Sequence, residues 1–414
     1  MAAAYKRRMS DPTPPTGPLR GLRVFDLTRV LAGPTCAQML GDLGAEIIKI
    51  EKPGSGDDTR GFAPPTLPGA TESAYFAGVN RNKLSVTLDI AQPEGQAIAH
   101  RLLGQCDMLV ENFKAGGLTR YGLGWEQVRT AHPGLIYCSI TGFGQTGPYA
   151  ARPGYDSLVQ AMGGVMSLTG EPDGMPQKVG VPVADLFAGL YACIGILAAL
   201  RHRERTGEGQ FIDIGMLDTS VAWLANQGMN YLATGENPPR LGNQHPNIVP
   251  YQVFATADGH VVLSVGNDAT WRRFCDAFAL AHLKDDPRFA TNAARVANRA
   301  LVTETLAPVL RGQPTAWWVE RLESLSIGGG PINRLSDVFA DPQVLARQMV
   351  VEMPHPTAAG GRVKLLANPV RLSATPADYR ISPPLLGEHT EQVLGGLLGM
   401  AADEIAALRA RGVV

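Results

Sequence analysis

From Gly21 onward, short runs of β-branched and apolar residues alternate with stretches of helical periodicity. The runs LRVFDL (22–27), AEIIKIE (45–51), SVTLD (85–89), DMLVEN (107–112), LIYCSIT (135–141) and FIDIGM (211–216) read as strands. Between them PTCAQMLGDL (34–43), SAYFAGV (73–79) and PEGQAIAHRLLGQC (93–106) read as helices. This βαβ alternation predicts an α/β fold with a parallel sheet covered by helices on both faces, and ligands at the carboxyl ends of its strands. A long apolar helix follows Asp185 and stops at RHRERTGEG, where basic residues lead into glycine. After about residue 225 the character changes. One strand, HVVLSV (260–265), is followed by polar helical sequence containing WRRFCDAF and TAWWVERL. The expected division is a disordered, proline-rich lead-in over 1–18, a large domain over 19–225, a small domain over 226–335 and a return to the large domain over 336–414.

Composition narrows the function classes. The 414 residues carry 37 Lys+Arg against 38 Asp+Glu, so no global field attracts nucleic acid or an anionic membrane, and any anion must be held by a local site. The longest uncharged apolar run, Leu186 to Leu200, falls short of the roughly 18 residues of a membrane span and suits a buried helix better. Cys36, Cys106, Cys138, Cys193 and Cys275 are far apart, which predicts neither disulfides nor a zinc site and favours a reducing, cytoplasmic setting. The histidines never flank a carboxylate at i, i+4, so metal binding has no support. GFGQTG (142–147) matches a dinucleotide fingerprint in form, but Pro148 and Pro153 break the helix that such a loop must open.

One carboxylate stands out. VGVPVADLFAGLYA places Asp185 between an extended stretch and the long helix. A carboxylate there can simply cap the helix, accepting hydrogen bonds from its free N–H groups. It can equally remain ionised and attack an activated acyl group, with nearby amides stabilising the oxyanion. The residues alone leave both open.

LRVFDLTRVLAGPTCAQMLGDLGAEIIKIEKPGSGDDTR resembles the opening of family III coenzyme A transferases, the CaiB/BaiF family, and NRNKLSVTLD, DMLVENF, YCSITGFGQTGP, GYDSL, ADLFAG, RTGEGQFIDI and PLLGEHT continue the resemblance in order to the C-terminus. The resemblance implies a Rossmann-like large domain formed by both chain ends, a smaller α+β domain between them, and two ring-shaped chains interlocked as a homodimer. It implies coenzyme A thioesters as substrates and no permanently bound cofactor. Asp185 matches the aspartate that forms acyl-anhydride and aspartyl-CoA intermediates. Val30, Leu31 and Ala32 match backbone contacts to CoA, and Leu88 a wall of the adenine site. Lys52 matches a position near the nucleotide where some members carry arginine. Asn112, Phe113 and Arg120 match residues of the CoA channel, and Gly154, Tyr155 and Asp156 the segment approaching the thioester. Asp156 could instead be a turn residue capping the helix at Ser157, and Leu88, Phe113, Lys52 and Arg120 could be ordinary core or surface residues. The glycine run that covers the site in some members is replaced here by LGNQHPNIVPYQ (241–252), which argues against a glycine-loop gate.

The family also contains α-methylacyl-CoA racemases, which need acid/base groups on both faces of the α-carbon. They carry histidine where this chain has Tyr155, and a tyrosine titrating near about 10 is a poor base at neutral pH. Their second acid falls near Asp268. The transferase reading is therefore preferred. The motifs are most similar to family members that take CoA from succinyl-CoA to dicarboxylic acids. An acceptor of that kind keeps a second carboxylate in the pocket, which must be paired. Arg81, Arg152 and His245 are the candidates.

Overall fold

The computed structural model describes residues 16–414. The lead-in expected over 1–18 thus falls mostly outside the described residues. Its end packs closely, since a Cβ on Gly17 would meet the Leu43 carbonyl oxygen at 2.0 Å. The chain forms two compact units, one of residues 16–164, 180–223 and 345–414, the other of 165–179 and 224–344.

The first unit is built on a six-stranded sheet of β1 (Arg23–Leu27), β2 (Glu46–Glu51), β3 (Lys83–Thr87), β4 (Met108–Glu111), β5 (Ile136–Thr141) and β6 (Phe211–Gly215). Their order is β3-β2-β1-β4-β5-β6 and every pairing is parallel, for example Val24 against both Ile47 and Met108. Side chains alternate across the sheet, so neighbours in sequence serve different cores. Val24 and Ile47 pack beneath α1 (Ala32–Asp42) and the long α4 (Val183–Thr206). Phe25 and Ile48 pack on the other face beneath α2 (Pro93–Leu103) and the C-terminal α9 (Thr390–Leu398) and α10 (Ala402–Ala410). Both ends of the chain therefore build this unit. β3 begins two residues earlier than its apolar run, because the ammonium of Lys83 is buried and ion-paired rather than solvated. An antiparallel pair, β10 (Val350–Pro354) and β11 (Arg362–Leu366), completes the unit.

α4 is 24 residues long, well past its fifteen-residue apolar run, and ends at Gly207 with φ of 79°, a conformation glycine adopts without a Cβ penalty. By length and composition it is apolar enough to cross a membrane, yet half of its most apolar stretch is buried in the protein. Its inner face is small (Ala184, Ala188, Ala192), and Gly189 lets α1 approach until a Cβ there would sit 2.5 Å from the Ala32 carbonyl oxygen.

The second unit includes α5 (Ala225–Thr234) and carries the antiparallel sheet β7 (Tyr251–Ala255), β8 (His260–Ser264) and β9 (Gly328–Pro331). Around it lie α6 (Asp268–Ala277), α7 (Arg299–Arg311) and α8 (Thr315–Ser324), sharing a core of Trp271, Phe274, Phe289 and Trp318. Residues 165–179 join it because Arg240 donates to the carbonyls of Glu171, Pro172 and Gly174.

Candidate active site

Strand order reverses between β1 and β4, and the loops leaving these two strands diverge to open a crevice at their carboxyl ends. A cavity of about 280 Å³ occupies that position, lined by Arg29–Ala32 after β1, Asn112–Ala115 after β4, Ile140–Gly142 ending β5, Arg152–Asp156, Asp58, Asp185 and Met216. The Asn112 amide ties the two loops together: its Oδ1 accepts the Arg29 N–H at 2.9 Å and its Nδ2 donates to the Arg29 carbonyl at 2.7 Å. Gly142 and Gly154 pack backbone against backbone, and a Cβ on Gly154 would lie 2.2 Å from the Gly142 Cα. The first glycine of GFGQTG, Gly142, therefore serves close packing that carries residues 154–156 onto the end of β5.

Asp185 is the third residue of α4, and its carboxylate does not cap the helix. The cap comes from Asp156, at the start of α3 (Asp156–Met162): its Oδ1 accepts the Ala184 N–H at 2.9 Å while its Oδ2 accepts from Gln160 at 2.7 Å. Asp156 thus caps α4, not the helix that begins at its own position. Burial, reinforced by the nearby charge of Asp156, pushes the Asp185 carboxyl up to about 7. Against the expectation of a carboxylate that simply stays ionised at a helix start, burial and the Asp156 charge both favour its protonated form. Tyr75 shares the environment: burial first, then the charges of Asp185 and Asp156, raise its hydroxyl above the ordinary range.

Beneath the β1 loop lies a buried ionic network. Lys49 Nζ reaches Asp57 Oδ2 at 2.9 Å and the Thr28 carbonyl at 2.8 Å, with both charged side chains fully buried. Lys83 Nζ lies 3.3 Å from Asp26 Oδ2 and donates to the Pro34 carbonyl at 3.0 Å. Asp26 Oδ1 holds the Thr28 N–H and hydroxyl. Burial pushes the Asp57 carboxyl up, but Lys49 and Thr59 outweigh it and hold the group at about 2. Such charges persist in a core only when paired.

The cleft gathers Val30, Leu31, Ala32, Asn112, Phe113, Arg152, Gly154, Tyr155, Asp156 and Asp185. Four of the residues singled out from the first unit do not line it. Lys52 is exposed beyond β2, and Arg120 is exposed with its guanidinium over the Tyr121 ring. Leu88 is a core residue under α2, 2% exposed. Arg81 is spent elsewhere: buried, it grips Asp42 through two hydrogen bonds of 2.9 and 2.6 Å and donates to the Leu366 carbonyl, leaving no free donor face for a substrate. His245 belongs to the second unit, stacked on Tyr251 with its Nδ1 accepting the Asn247 N–H. Asp268, the nearest counterpart of a racemase's second acid, is paired to the buried Arg295 at 2.9 Å. Sequence reasoning missed Arg29, Asp58, Thr141, Met216 and the Lys49–Asp57 pair. The signal for the pair was a lysine inside the apolar run EIIKIE, which needs a buried anion, and the acidic GSGDD that follows.

The model of CoA-transferase family III matches residues 19–390. The chain belongs to CoA-transferase family III. It is 49% identical over 389 residues to a succinate–glutarate CoA-transferase of Agrobacterium fabrum, covering 92% of this chain and 96% of the relative. It is 43% identical over 397 residues to a human succinyl-CoA:glutarate CoA-transferase, covering 96% and 90%. Among solved structures, a CaiB/BaiF family protein from Brucella suis superposes with a TM-score of 0.81 at 46% identity, covering 92% of this chain and all of that one. As a family III transferase the enzyme takes coenzyme A thioesters as substrates.

Proposed function

We propose that this transferase moves coenzyme A from succinyl-CoA to a dicarboxylic acid, with Asp185 as covalent nucleophile. The observation that carries the proposal is Asp185 itself: a carboxylate in the cleft with no hydrogen bond from the described residues and a basicity raised to about 7. A half-buried, basic carboxylate is a stronger nucleophile than one bathed in donors. Asp185 attacks the thioester carbonyl, the C–S bond breaks, and CoA thiolate leaves a succinyl–aspartyl anhydride. The thiolate then attacks the aspartyl carbonyl, releasing succinate and forming an aspartyl-CoA thioester. The acceptor carboxylate repeats these steps in reverse, leaving acceptor-CoA and a free Asp185. No net redox change or proton transfer is needed.

The loops support the division of labour. Arg29–Ala32, Asn112–Phe113 and Gly154–Asp156 would hold the CoA arm and thioester, and Lys52, Leu88 and Arg120 lie outside this cleft. Arg152, over the Tyr149 ring at 3.9 Å, is the cleft cation best suited to the acceptor's second carboxylate. The chain works as a homodimer in this reading, consistent with the exposed apolar stripe Leu190, Tyr191, Ile194 and Leu197 on α4. Its unpaired thiols, mostly buried, suit a reducing cytoplasm.

The test is Asp185→Asn, which keeps size and polarity and removes the nucleophile. Transfer should fall by at least about 10³-fold while binding of the CoA thioester persists. Retained activity, with deamidation to Asp excluded by mass spectrometry, would overturn the proposal.

A further inference from the structure

Val30 has φ of 68°. A β-branched residue rarely enters the left-handed region, because its Cβ crowds the following carbonyl, and such strain persists only where surrounding contacts impose it. Here the contacts are identifiable. The Val30 N–H donates to Asp57 Oδ1 at 3.2 Å. The preceding Arg29 peptide is held on both sides by Asn112, and the Thr28 carbonyl by Lys49. Asp57 cannot drift: its other oxygen pairs with Lys49, and its own N–H donates to Glu51 Oε2 at 3.0 Å, which also grips Arg60. The strained residue is a wall of the cleft that contains Asp185.

We propose that Asp57, immobilised by Lys49, is a positioning residue for the transfer, holding the Val30 peptide in the left-handed conformation that shapes the cleft beside Asp185. Asp57 does not itself line the cleft, and it acts through Val30. The inference rests on the cleft being the transfer site. It does not depend on the covalent intermediate.

The test compares Asp57→Ala, Val30→Gly and the double variant, with kcat expressed per folded site counted from the stoichiometry of CoA-thioester binding. Asp57→Ala should lower kcat at least about tenfold and change KM for the thioester less than about threefold. Val30→Gly is measured alone as the reference for the double variant, because glycine takes positive φ without a Cβ penalty. Added to Asp57→Ala, it should restore at least about fivefold of the lost kcat. A purely structural Asp57 predicts fewer folded sites with unchanged kcat at each. That result, or a loss that glycine at position 30 does not restore, overturns the proposal. If Asp57→Ala does not fold, Lys49→Met combined with Asp57→Leu, which removes the buried ion pair together with the acceptor, is judged with and without Val30→Gly by the same two criteria. Absence of any adduct on Asp185 in the wild type would defeat the covalent mechanism while leaving this comparison intact.

Discussion

At the scale of single residues, the proposed chemistry rests on a carboxylate whose basicity burial raises. Asp185 carries a proton up to about pH 7 in the folded chain but only up to about pH 3.8 when exposed. Between those values the folded state binds the additional proton, so this residue's contribution to stability falls as pH rises from about 4 to about 7 and stays low above that. Asp185→Asn should therefore be more stable than wild type at pH 8, by about 1–3 kcal/mol, and close to it at pH 4. Thermal melts at the two pH values check this, and equal shifts at both would contradict the burial argument. The same titration should appear in kinetics. In the free enzyme kcat/KM should rise through an apparent pKa near 7, since only the ionised carboxylate attacks. A profile flat from pH 5 to 8 would count against it. Arg152 belongs to this scale too. Arg152→Gln should raise KM for a dicarboxylic acceptor at least about tenfold and leave that for a monocarboxylic acid within about threefold.

At the scale of elements, the parallel strands were legible because strands buried on both faces read as continuous apolar runs. β1, β2, β4, β5 and β6 lie within a residue or so of the runs that announce them. β3 was less legible because its first residue, Lys83, has its charge paired in the core with Asp26 across the fold, a contact no local pattern displays. The same blindness made Arg81 look available when Asp42 had already claimed it. Asp185 was legible as a residue of the α4 start, yet its partner Asp156 capping that helix from 28 residues upstream was not. Close helix packing makes a separate prediction. Gly189→Leu would force α4 away from the Ala32 carbonyl and shift Asp185 one turn above it. The expected result is a loss of about 2–4 kcal/mol in stability by denaturant titration, with activity lost at temperatures where the fold survives.

At the scale of the whole molecule, an apolar stripe on α4 remains uncovered in the single chain. Ile194 is 61% exposed at its centre. A homodimer burying this stripe predicts twice the chain mass in light scattering, and Ile194→Lys should shift the protein toward monomer. A monomeric wild type at micromolar concentration would contradict the dimer. The switch-point cleft and Asp185 both lie within one compact unit. The most direct measurement follows oxygen. The enzyme is cycled with succinyl-CoA and a dicarboxylic acid such as glutarate labelled with oxygen-18 in its carboxylates, then digested and weighed by mass spectrometry. An anhydride between acceptor and Asp185 leaves one acceptor oxygen on the aspartate each time thiolate takes the acyl group. The peptide containing Asp185 should then gain about 2 Da, and more after further turnovers. Product accumulating while that peptide stays unlabelled would contradict the account.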